Sequence, residues 1–331
     1  MATNIPMTDK LGEKALGWRP GLGFNVGPFS IIIVMLAACV LLALTSSTFL
    51  SYTNIYSVLF GVSIQFYALI GLTILMILGE IDLSVGAVYA FSGAFAGQLI
   101  VLYHVPLVPA LIASLIVSTS FGLLSGFLVT RFRLNSMMIT IGMMTMVKGL
   151  FSVLVRVLQG RLFPSDYRAI VKFQIFDIHW SIIAMIVIVV VIEFMLRRTA
   201  ACKKLYIIGE NIETARIYGV KTNKIKMIAF AFSAFSAAVG GLIAASRITN
   251  ANIVTGEGLE FTMITAVVLG GASLFGGKGS LVTSVVGLLF LAVVNNGMII
   301  YKIEPLIQQC VMGAILIVAV FIDTRLNRSR G

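Results

Sequence analysis

Long runs of apolar residues separated by short polar segments dominate the chain. A membrane-spanning helix needs roughly 20 predominantly apolar residues, and most of the runs reach that length. Ten runs can be marked, at about 28–46, 56–78, 84–103, 106–130, 137–157, 180–196, 227–246, 261–275, 280–301 and 306–322. The eighth has only about 15 residues and is framed by glycines, so its length allows either a complete span or a re-entrant segment. The pattern predicts an all-α polytopic membrane protein of about ten transmembrane helices.

The composition supports a membrane protein. The 331 residues are 59% hydrophobic and only 11% charged, against about 25% charged in a typical soluble domain. These values exclude a nucleic-acid binder, a disordered chain and an ordinary cytosolic enzyme. Cys39, Cys202 and Cys310 are too far apart for a disulfide framework or a metal-ligand motif, and His104 and His179 stand alone. We therefore expect no bound metal, no cofactor and no catalytic residue.

The basic residues decide the topology. With ten spans both termini lie on one side, and that side holds 17 of the 24 Lys and Arg residues, against 6 on the other side, with Lys148 inside a run. If the eighth run did not cross, Lys278 and the C-terminal arginines would change sides. The positive-inside rule therefore favours ten spans with both termini cytoplasmic. The expected organisation is a cytoplasmic N-terminal segment (1–27), a transmembrane domain (28–322) and a cytoplasmic tail (323–331).

Polar residues in or beside the apolar runs are candidate pathway groups. Lys148 either faces the bundle interior, paired with a carboxylate or with carbonyl oxygens, or extends its stem towards the outer face. Asn295 and Asn296 could face a solute, although hydrogen bonding between helices is the simpler explanation. Glu193 and Arg197 have the i, i+4 spacing of an interfacial helix pair. The candidates for the pathway or its outer mouth are Gln65, Lys148, Arg247, Asn250, Asn252, Glu257, Glu260, Asn295 and Asn296.

Two carboxylates lie between the second and third runs. In this segment Glu80 and Asp82 precede Ser84, and a charge at mid-bilayer costs about 2.5–3.5 kcal/mol. Asp82 or Ser84 would cap the third helix, accepting from its free N–H groups. The alternative is a proton- or ion-coupling pair. We favour the cap because the segment lies at the predicted cytoplasmic boundary of the span.

No nucleotide-binding motif is present. The glycine-rich segment 276–280 superficially resembles a phosphate-binding loop, but Gly279 follows the lysine where Ser or Thr is required. Ala272 also occupies the place of the leading glycine. We interpret the segment as a tight inner turn. If transport uses ATP, another chain must bind the nucleotide.

The longest inner loop (about 197–226) is polar and basic, and it contains a predicted short helix. Glycines at 209 and 219 bound the helix, Asn211 is a plausible N-cap, and Glu213 falls in the first turn. Such a helix beneath the bundle is well placed to contact a cytoplasmic partner. It is also compatible with a position on the membrane surface.

Three segments together resemble the permease subunits of bacterial ABC importers of the ribose, arabinose, xylose and galactose type. Residues 79–86 (Gly-Glu-Ile-Asp-Leu-Ser-Val-Gly) are similar to the family's Gly-Gly-Ile-Asp-Leu-Ser-Val-Gly. Residues 209–220 are similar to its cytoplasmic Gly-x-Asn-x-x-Ala-Ala…Gly-Ile segment, and residues 256–280 to its glycine-rich third motif. The resemblance covers about residues 30–322. Glu80 and Thr214 are departures, replacing a glycine and an alanine.

The resemblance implies a type II-like permease that has no ATPase of its own. Two permease chains, as a homodimer or a related heterodimer, would form the pathway, with ATP-binding subunits on the cytoplasmic side. A periplasmic binding protein would deliver a monosaccharide or a related polyol-like solute, and no nucleic acid is involved. The inner-loop helix would be the coupling helix that transmits ATP-driven closure, and the residues assigned to it are Gly209, Glu210, Asn211, Ala215, Arg216 and Gly219.

The sequence is also compatible with two other classes of protein to different degrees. An ion-coupled secondary transporter acting alone would use Glu80, Asp82 and Lys148 as a relay, with the short eighth run as a broken helix. A membrane-embedded enzyme has little support, since no Ser/His, Cys/His or paired intramembrane carboxylate arrangement is present in the sequence.

Overall fold

The computed structural model describes residues 26–252 and 254–328. Within these residues the chain forms thirteen helices and one antiparallel pair of two-residue strands, which confirms the all-α prediction. The elements are α1 Val26–Thr45, α2 Tyr52–Ile77, α3 Val85–Tyr103, α4 Leu107–Phe132, α5 Ser136–Leu158, α6 Ser165–Lys172, β1 Gln174–Ile175, β2 Ile178–His179, α7 Trp180–Arg198, α8 Ala200–Glu210, α9 Ile212–Ile217, α10 Thr222–Ile248, α11 Leu259–Leu269, α12 Leu281–Ile300 and α13 Pro305–Arg328.

Ten apolar helices coincide with the ten predicted runs. Eight described helices are long and apolar enough to cross a membrane, and the other two apolar helices are the shorter segments Ile31–Thr45 and Leu259–Leu269. The second of these is α11, whose eleven residues rise only about 16 Å at 1.5 Å per residue. A hydrocarbon core is about 30 Å thick. The eighth run therefore supplies only a half-length helix, and irregular chain precedes it.

The centre of the bundle is built by α2, α3 and α10, whose residues are mostly buried. Small residues let these helices approach closely. A Cβ atom at Gly93 of α3 would lie 2.8 Å from the carbonyl oxygen of Gly241 in α10, and one at Gly126 of α4 would lie 2.9 Å from Cα of Met227. Such contacts are typical of membrane helix interfaces, where association depends on packing rather than on the hydrophobic effect.

The link between α2 and α3 turns back into the bundle. The residues from Glu80 to Ser84 are all buried, and Asp82 lies against Ser233 of α10. Ser233 is the twelfth residue of that 27-residue helix, about 16 Å from its start. Asp82 is therefore level with the middle of a central helix. Irregular backbone is tolerated at this position because the surrounding protein, rather than water, accommodates it.

The segment between α5 and α7 forms a small structured unit on the bundle. Phe163 and Tyr167 are fully buried, and the N–H of Phe163 donates to the carbonyl of Thr249 at 2.9 Å. The indole N–H of Trp180 donates to the carbonyl of Ile170 at 2.7 Å. These bonds hold α6 and the β1–β2 hairpin against the ends of α7 and α10.

Two of the predicted boundaries concern the termini. Helix α13 continues to Arg328, so the helix extends past 322, the last residue of the predicted transmembrane domain, into the predicted tail (323–331). The predicted N-terminal segment (1–27) lies almost entirely outside the described residues, since α1 begins at Val26.

Candidate transport pathway and coupling surface

Glu80 forms an ion pair with Lys226 near the start of α10. Both side chains are largely buried. A buried charge is tolerated when a partner of opposite sign compensates its lost hydration. This pairing explains how the chain accommodates an acidic residue at a position where the similar motif has a glycine.

Asp82 is held by three hydrogen bonds from neutral groups. Its Oδ1 atom accepts from the N–H of Ser84 at 2.9 Å and from the Ser84 hydroxyl at 2.6 Å, and its Oδ2 atom accepts from the Ser233 hydroxyl at 3.0 Å. The N–H group that Asp82 accepts belongs to Ser84, the residue before α3, and the Ser84 side chain makes no capping bond to the helix. The predicted bond to a free N–H group of α3 is not seen among the described residues. The bonds from Ser84 and Ser233 tie the link to α10.

Lys148 and Glu260 form an ion pair inside the membrane-spanning region. Lys148 is the thirteenth residue of the 23-residue helix α5, and its Nζ lies 3.4 Å from Oε1 of Glu260. The Glu260 side chain is 1% exposed, whereas that of Lys148 is 40% exposed. Glu260 therefore lies in the bundle interior at the first turn of α11. Its Oε2 atom is buried and has no hydrogen-bond partner among the described residues.

Glu80, Asp82 and Lys148 each have a separate partner. Glu80 pairs with Lys226, Asp82 accepts hydrogen bonds from Ser84 and Ser233, and Lys148 pairs with Glu260. No hydrogen bond within the described residues joins Glu80, Asp82 and Lys148 to one another. Each of the three groups is thus engaged by a different part of the bundle.

The candidate groups near the outer ends of the helices have mixed roles. The Asn296 amide exchanges two hydrogen bonds with Asn54 of α2, at 3.0 and 2.8 Å, so it joins two helices. Asn252 accepts from the N–H of Val254 at 3.1 Å within a turn. Gln65 and Asn295 are half-buried, and Asn250 and Glu257 are exposed. The structure does not therefore gather the whole set into a single polar cluster.

Arg247 belongs to a stack of side chains that the sequence did not reveal. Its guanidinium lies 4.6 Å from the centre of the Phe60 ring, and His179 stacks on the same ring at 4.0 Å. Burial, with a smaller contribution from the Arg247 charge, lowers the pKa of His179. The imidazole is therefore neutral at physiological pH and can lie close to the cation.

The predicted short helix of the inner loop is α9, and a sharp junction at Asn211 separates it from α8. Gly209 and Glu210, which were assigned to the coupling helix, are the last two residues of α8. The Asn211 side chain caps α9 by accepting from the N–H groups of Glu213 and Thr214, both at 2.9 Å. The N-cap prediction for Asn211 is confirmed.

Helix α9 ends in a left-handed glycine and leaves its tip exposed. Gly219 has φ +72, and the N–H of Val220 reaches back to the carbonyl of Ala215 at 3.0 Å, as in a Schellman ending. Ala215 is buried, whereas Ile217 and Tyr218 are 84% and 79% exposed. The helix therefore presents apolar side chains away from the bundle.

Three glycine-containing segments meet beneath the bundle. The Gly277 N–H donates to the carbonyl of Ile77, the last residue of α2, at 2.9 Å. A Cβ atom at Gly276 would lie 2.8 Å both from the Gly209 carbonyl oxygen and from the Gly79 nitrogen. We call this contact of residues 79, 209 and 276–277 the glycine junction. It links the end of α8 directly to α2 and to the α11–α12 connection.

A hydrogen bond from Tyr206 reinforces the glycine junction. The Tyr206 hydroxyl donates to the carbonyl of Gly279 at 2.9 Å. Burial, with the nearby Glu193 charge, raises the pKa of Tyr206 to about 12. The phenol therefore stays protonated and keeps its donor at physiological pH. The segment 276–280 is a turn, as predicted, and it also packs against the inner-loop helices.

Glu193 has a role that its spacing alone did not show. It pairs with Arg197 at 2.6 Å, as the i, i+4 pattern predicted. Its carboxylate also accepts from the Ser280 hydroxyl and from the N–H of Leu281, both at 2.9 Å. An anion at this position stabilises the N-terminus of α12. Only the fold brings these residues together, because they are 87 and 88 positions apart.

Comparison with known proteins identifies the class of this bundle. The family described as "Branched-chain amino acid transport system / permease component" matches residues 54–320. The chain belongs to this permease family and is a multi-pass inner-membrane protein. This membership confirms the resemblance found in the three motifs. No solved structure shows a significant match.

Relatives from several bacteria cover nearly the whole chain. The L-arabinose ABC transporter permease protein AraH of Azospirillum brasilense is 31% identical over 94% of this chain and 92% of its own length. The ribose import permease protein RbsC of Escherichia coli K12 is 28% identical, covering 89% and 92%. The autoinducer 2 import system permease protein LsrC of Photorhabdus luminescens is 27% identical, covering 92% and 91%.

Proposed function

We propose that the chain is the transmembrane subunit of an ATP-driven importer that moves a monosaccharide or a related polyol-like solute by alternating access. The relatives' names, which include arabinose, ribose and autoinducer 2 import, support this class of solute. The observation that carries the proposal is α9, a capped short helix with an exposed apolar tip, connected by the glycine junction to the spans.

The partners follow from this assignment. ATP-binding subunits would contact α9, a periplasmic binding protein would deliver the solute, and a second permease chain would complete the pathway. The excess of basic residues on one side supports an orientation with both termini and α9 in the cytoplasm. The solute would then enter at the side where the chain enters α2 and leaves α12.

The coupling helix can be tested by weakening both of its ends. Asn211→Ala removes the cap, which costs about 1 kcal/mol, and Gly219→Ala places a side chain at φ +72, where an L-residue costs roughly 1–2 kcal/mol more. We expect the double variant to insert normally but to lose at least about tenfold in ATP-driven solute uptake. Uptake is measured in proteoliposomes with the ATPase subunit and the binding protein, alongside ATP hydrolysis.

Gly160→Ala is the matched control, since Gly160 also has a positive φ and open space but lies in the α5–α6 loop. It should leave uptake unchanged. Normal uptake in the Asn211→Ala, Gly219→Ala variant would refute the assignment of α9. Uptake by the purified chain alone, driven by an ion gradient, would instead support the secondary transporter.

We propose that helix α5 lines the transport pathway. The face opposite its buried side includes small and polar residues at helical spacing, namely Gly142, Thr145, Gly149 and Ser152. A Cβ atom at either glycine would meet nothing within 4 Å. A glycine inside a helix costs about 1 kcal/mol relative to alanine, and this chain offers no packing that explains it.

Lys148 borders this face and gives it a chemical character. Its side chain is 40% exposed halfway along α5, and a cation there is unfavourable against lipid. A water-filled path closed by the second permease chain would solvate the ammonium group. Small and hydroxyl-bearing side chains beside it would leave room for a polyhydroxylated solute and interact with it only weakly.

Filling the α5 face should block transport without unfolding the chain. We expect Gly142→Leu and Gly149→Leu each to lower uptake roughly tenfold or more, with a thermal midpoint within a few degrees of the parent. Gly313→Leu is the control, since that helical glycine in α13 also has open space around it. Equal uptake by all three variants would show that α5 does not line the pathway.

A further inference from the structure

A basic depression lies where α4 ends and α10 begins, next to α9. Its volume is about 520 Å³. Four of its lining residues are cations and none is a carboxylate. The lining residues are Arg133, Arg216, Val220, Lys221, Thr222, Asn223 and Lys224.

The charge of the depression is largely uncompensated by the protein. Arg216 pairs with Glu213 at 2.6 Å. No ion pair is found for Arg133, Lys221 or Lys224 among the described residues. Like charges held together repel one another, and an anion among them would relieve the repulsion.

The start of α10 adds to the positive potential. No side chain caps the helix at Lys221, and its first turn contains no acidic residue. The free N–H groups and the positive end of the helix dipole favour an anion at this position. Lysines stand here where acidic residues are usual, so the helix dipole and the lysine side chains both contribute positive potential.

Large apolar side chains flank the depression on the outside of the bundle. Phe132 and Leu134, on either side of Arg133, are 60% and 45% exposed, and Ile228, one turn beyond Lys224, is 54% exposed. Helices α4 and α10 run side by side here, as the contact of Gly126 with Met227 shows. An anion bound in the depression would therefore have hydrocarbon surface next to it.

We propose that this depression binds the phosphodiester headgroup of an anionic phospholipid, with its acyl chains along α4 and α10. Basic pockets at the ends of membrane helices suit such headgroups, and the exposed apolar residues distinguish a lipid from free phosphate. The exposed tip of α9, at Ile217 and Tyr218, offers a separate surface for a protein partner. The site does not depend on which solute the bundle carries.

The test measures lipid binding to the purified full-length chain in neutral detergent by native mass spectrometry. Phosphatidylglycerol and phosphatidylcholine are titrated separately, and glycerol 3-phosphate serves as the soluble probe. The Arg133→Gln, Lys224→Gln variant should bind phosphatidylglycerol roughly tenfold more weakly than the parent. The charge-conserving Arg133→Lys, Lys224→Arg variant should keep most of the affinity, and it guards against a folding defect.

Arg198→Gln, Lys204→Gln is the matched control, since it removes two cations of the same inner loop region outside the depression. It should bind phosphatidylglycerol like the parent. The proposal is overturned if both glutamine variants weaken binding equally, if phosphatidylcholine binds as well as phosphatidylglycerol, or if glycerol 3-phosphate binds as tightly as the lipid. It is also overturned if the Arg133→Gln, Lys224→Gln variant keeps its lipid but fails to capture the ATPase subunit, which would make the depression a protein contact.

Discussion

Lys148→Met is expected to destabilise the chain by about 3–5 kcal/mol, the cost of leaving a buried charge without its partner. Glu260 is 1% exposed, and Lys148 is the only cation that contacts it among the described residues. One Glu260 oxygen already has no hydrogen-bond partner there. Removing the ammonium group would leave the whole carboxylate uncompensated in the bundle. The free energy of unfolding in mixed micelles, measured by denaturant titration, reports this loss.

A double-mutant cycle separates the interaction energy of the Lys148–Glu260 pair from the effects of the two individual side chains. Glu260→Gln removes the buried charge, and we expect it to be milder than Lys148→Met. Combining the two substitutions should recover part of the loss, since the double variant leaves no buried carboxylate without a partner. Arg156→Met, which removes an exposed cation from the last turn of the same helix, should change little. Additive effects in the cycle would mean that the two side chains do not interact.

Gly241→Ala is expected to prevent correct packing of α10 against α3. A Cβ atom at Gly241 would overlap the backbone carbonyl of Tyr89, and backbone atoms cannot move aside as a flexible side chain can. Overpacking costs typically 1–3 kcal/mol, and this position should reach or exceed the upper end. The thermal midpoint and the proportion of monodisperse protein in size-exclusion chromatography measure the effect.

Gly313→Ala is expected to have the opposite effect on stability. Gly313 lies in α13, and a Cβ atom added there would meet nothing within 4 Å, so alanine should be neutral or stabilising by its higher helix propensity. A similar loss of stability in both variants would contradict the prediction, because a Cβ atom at Gly313 makes no contact like the one with Tyr89.

Apolar run length and charge asymmetry were enough to predict the ten apolar helices, but they could not show how deeply the segments between these helices are buried in the bundle. Asp82 lies between two apolar runs in the sequence, whereas the fold buries it against Ser233 of α10. The eighth run looked like a short span, yet only Leu259–Leu269 is helical. In both places the protein itself satisfies irregular backbone within the bundle, and a hydropathy pattern contains no information about that environment.

The candidate site shows the same division between local and distant information. Asn211 could be predicted as a cap because its partners are two and three residues away. The Lys148–Glu260 pair joins residues 112 positions apart, and Glu193 reaches α12 across 88. Spacing along the chain predicts the first kind of contact. The second kind requires the helix packing, which depends on many small residues at once.

The glycine junction has a mechanical consequence. Contacts between side chains absorb small displacements by rotamer adjustment, but residues 79, 209 and 276–277 meet backbone to backbone. Backbone atoms in direct contact leave little room for relative displacement. A shift of the end of α8 by even a fraction of an ångström must therefore displace the end of α2 and the start of α12, so the inner-loop helices and the spans would move together.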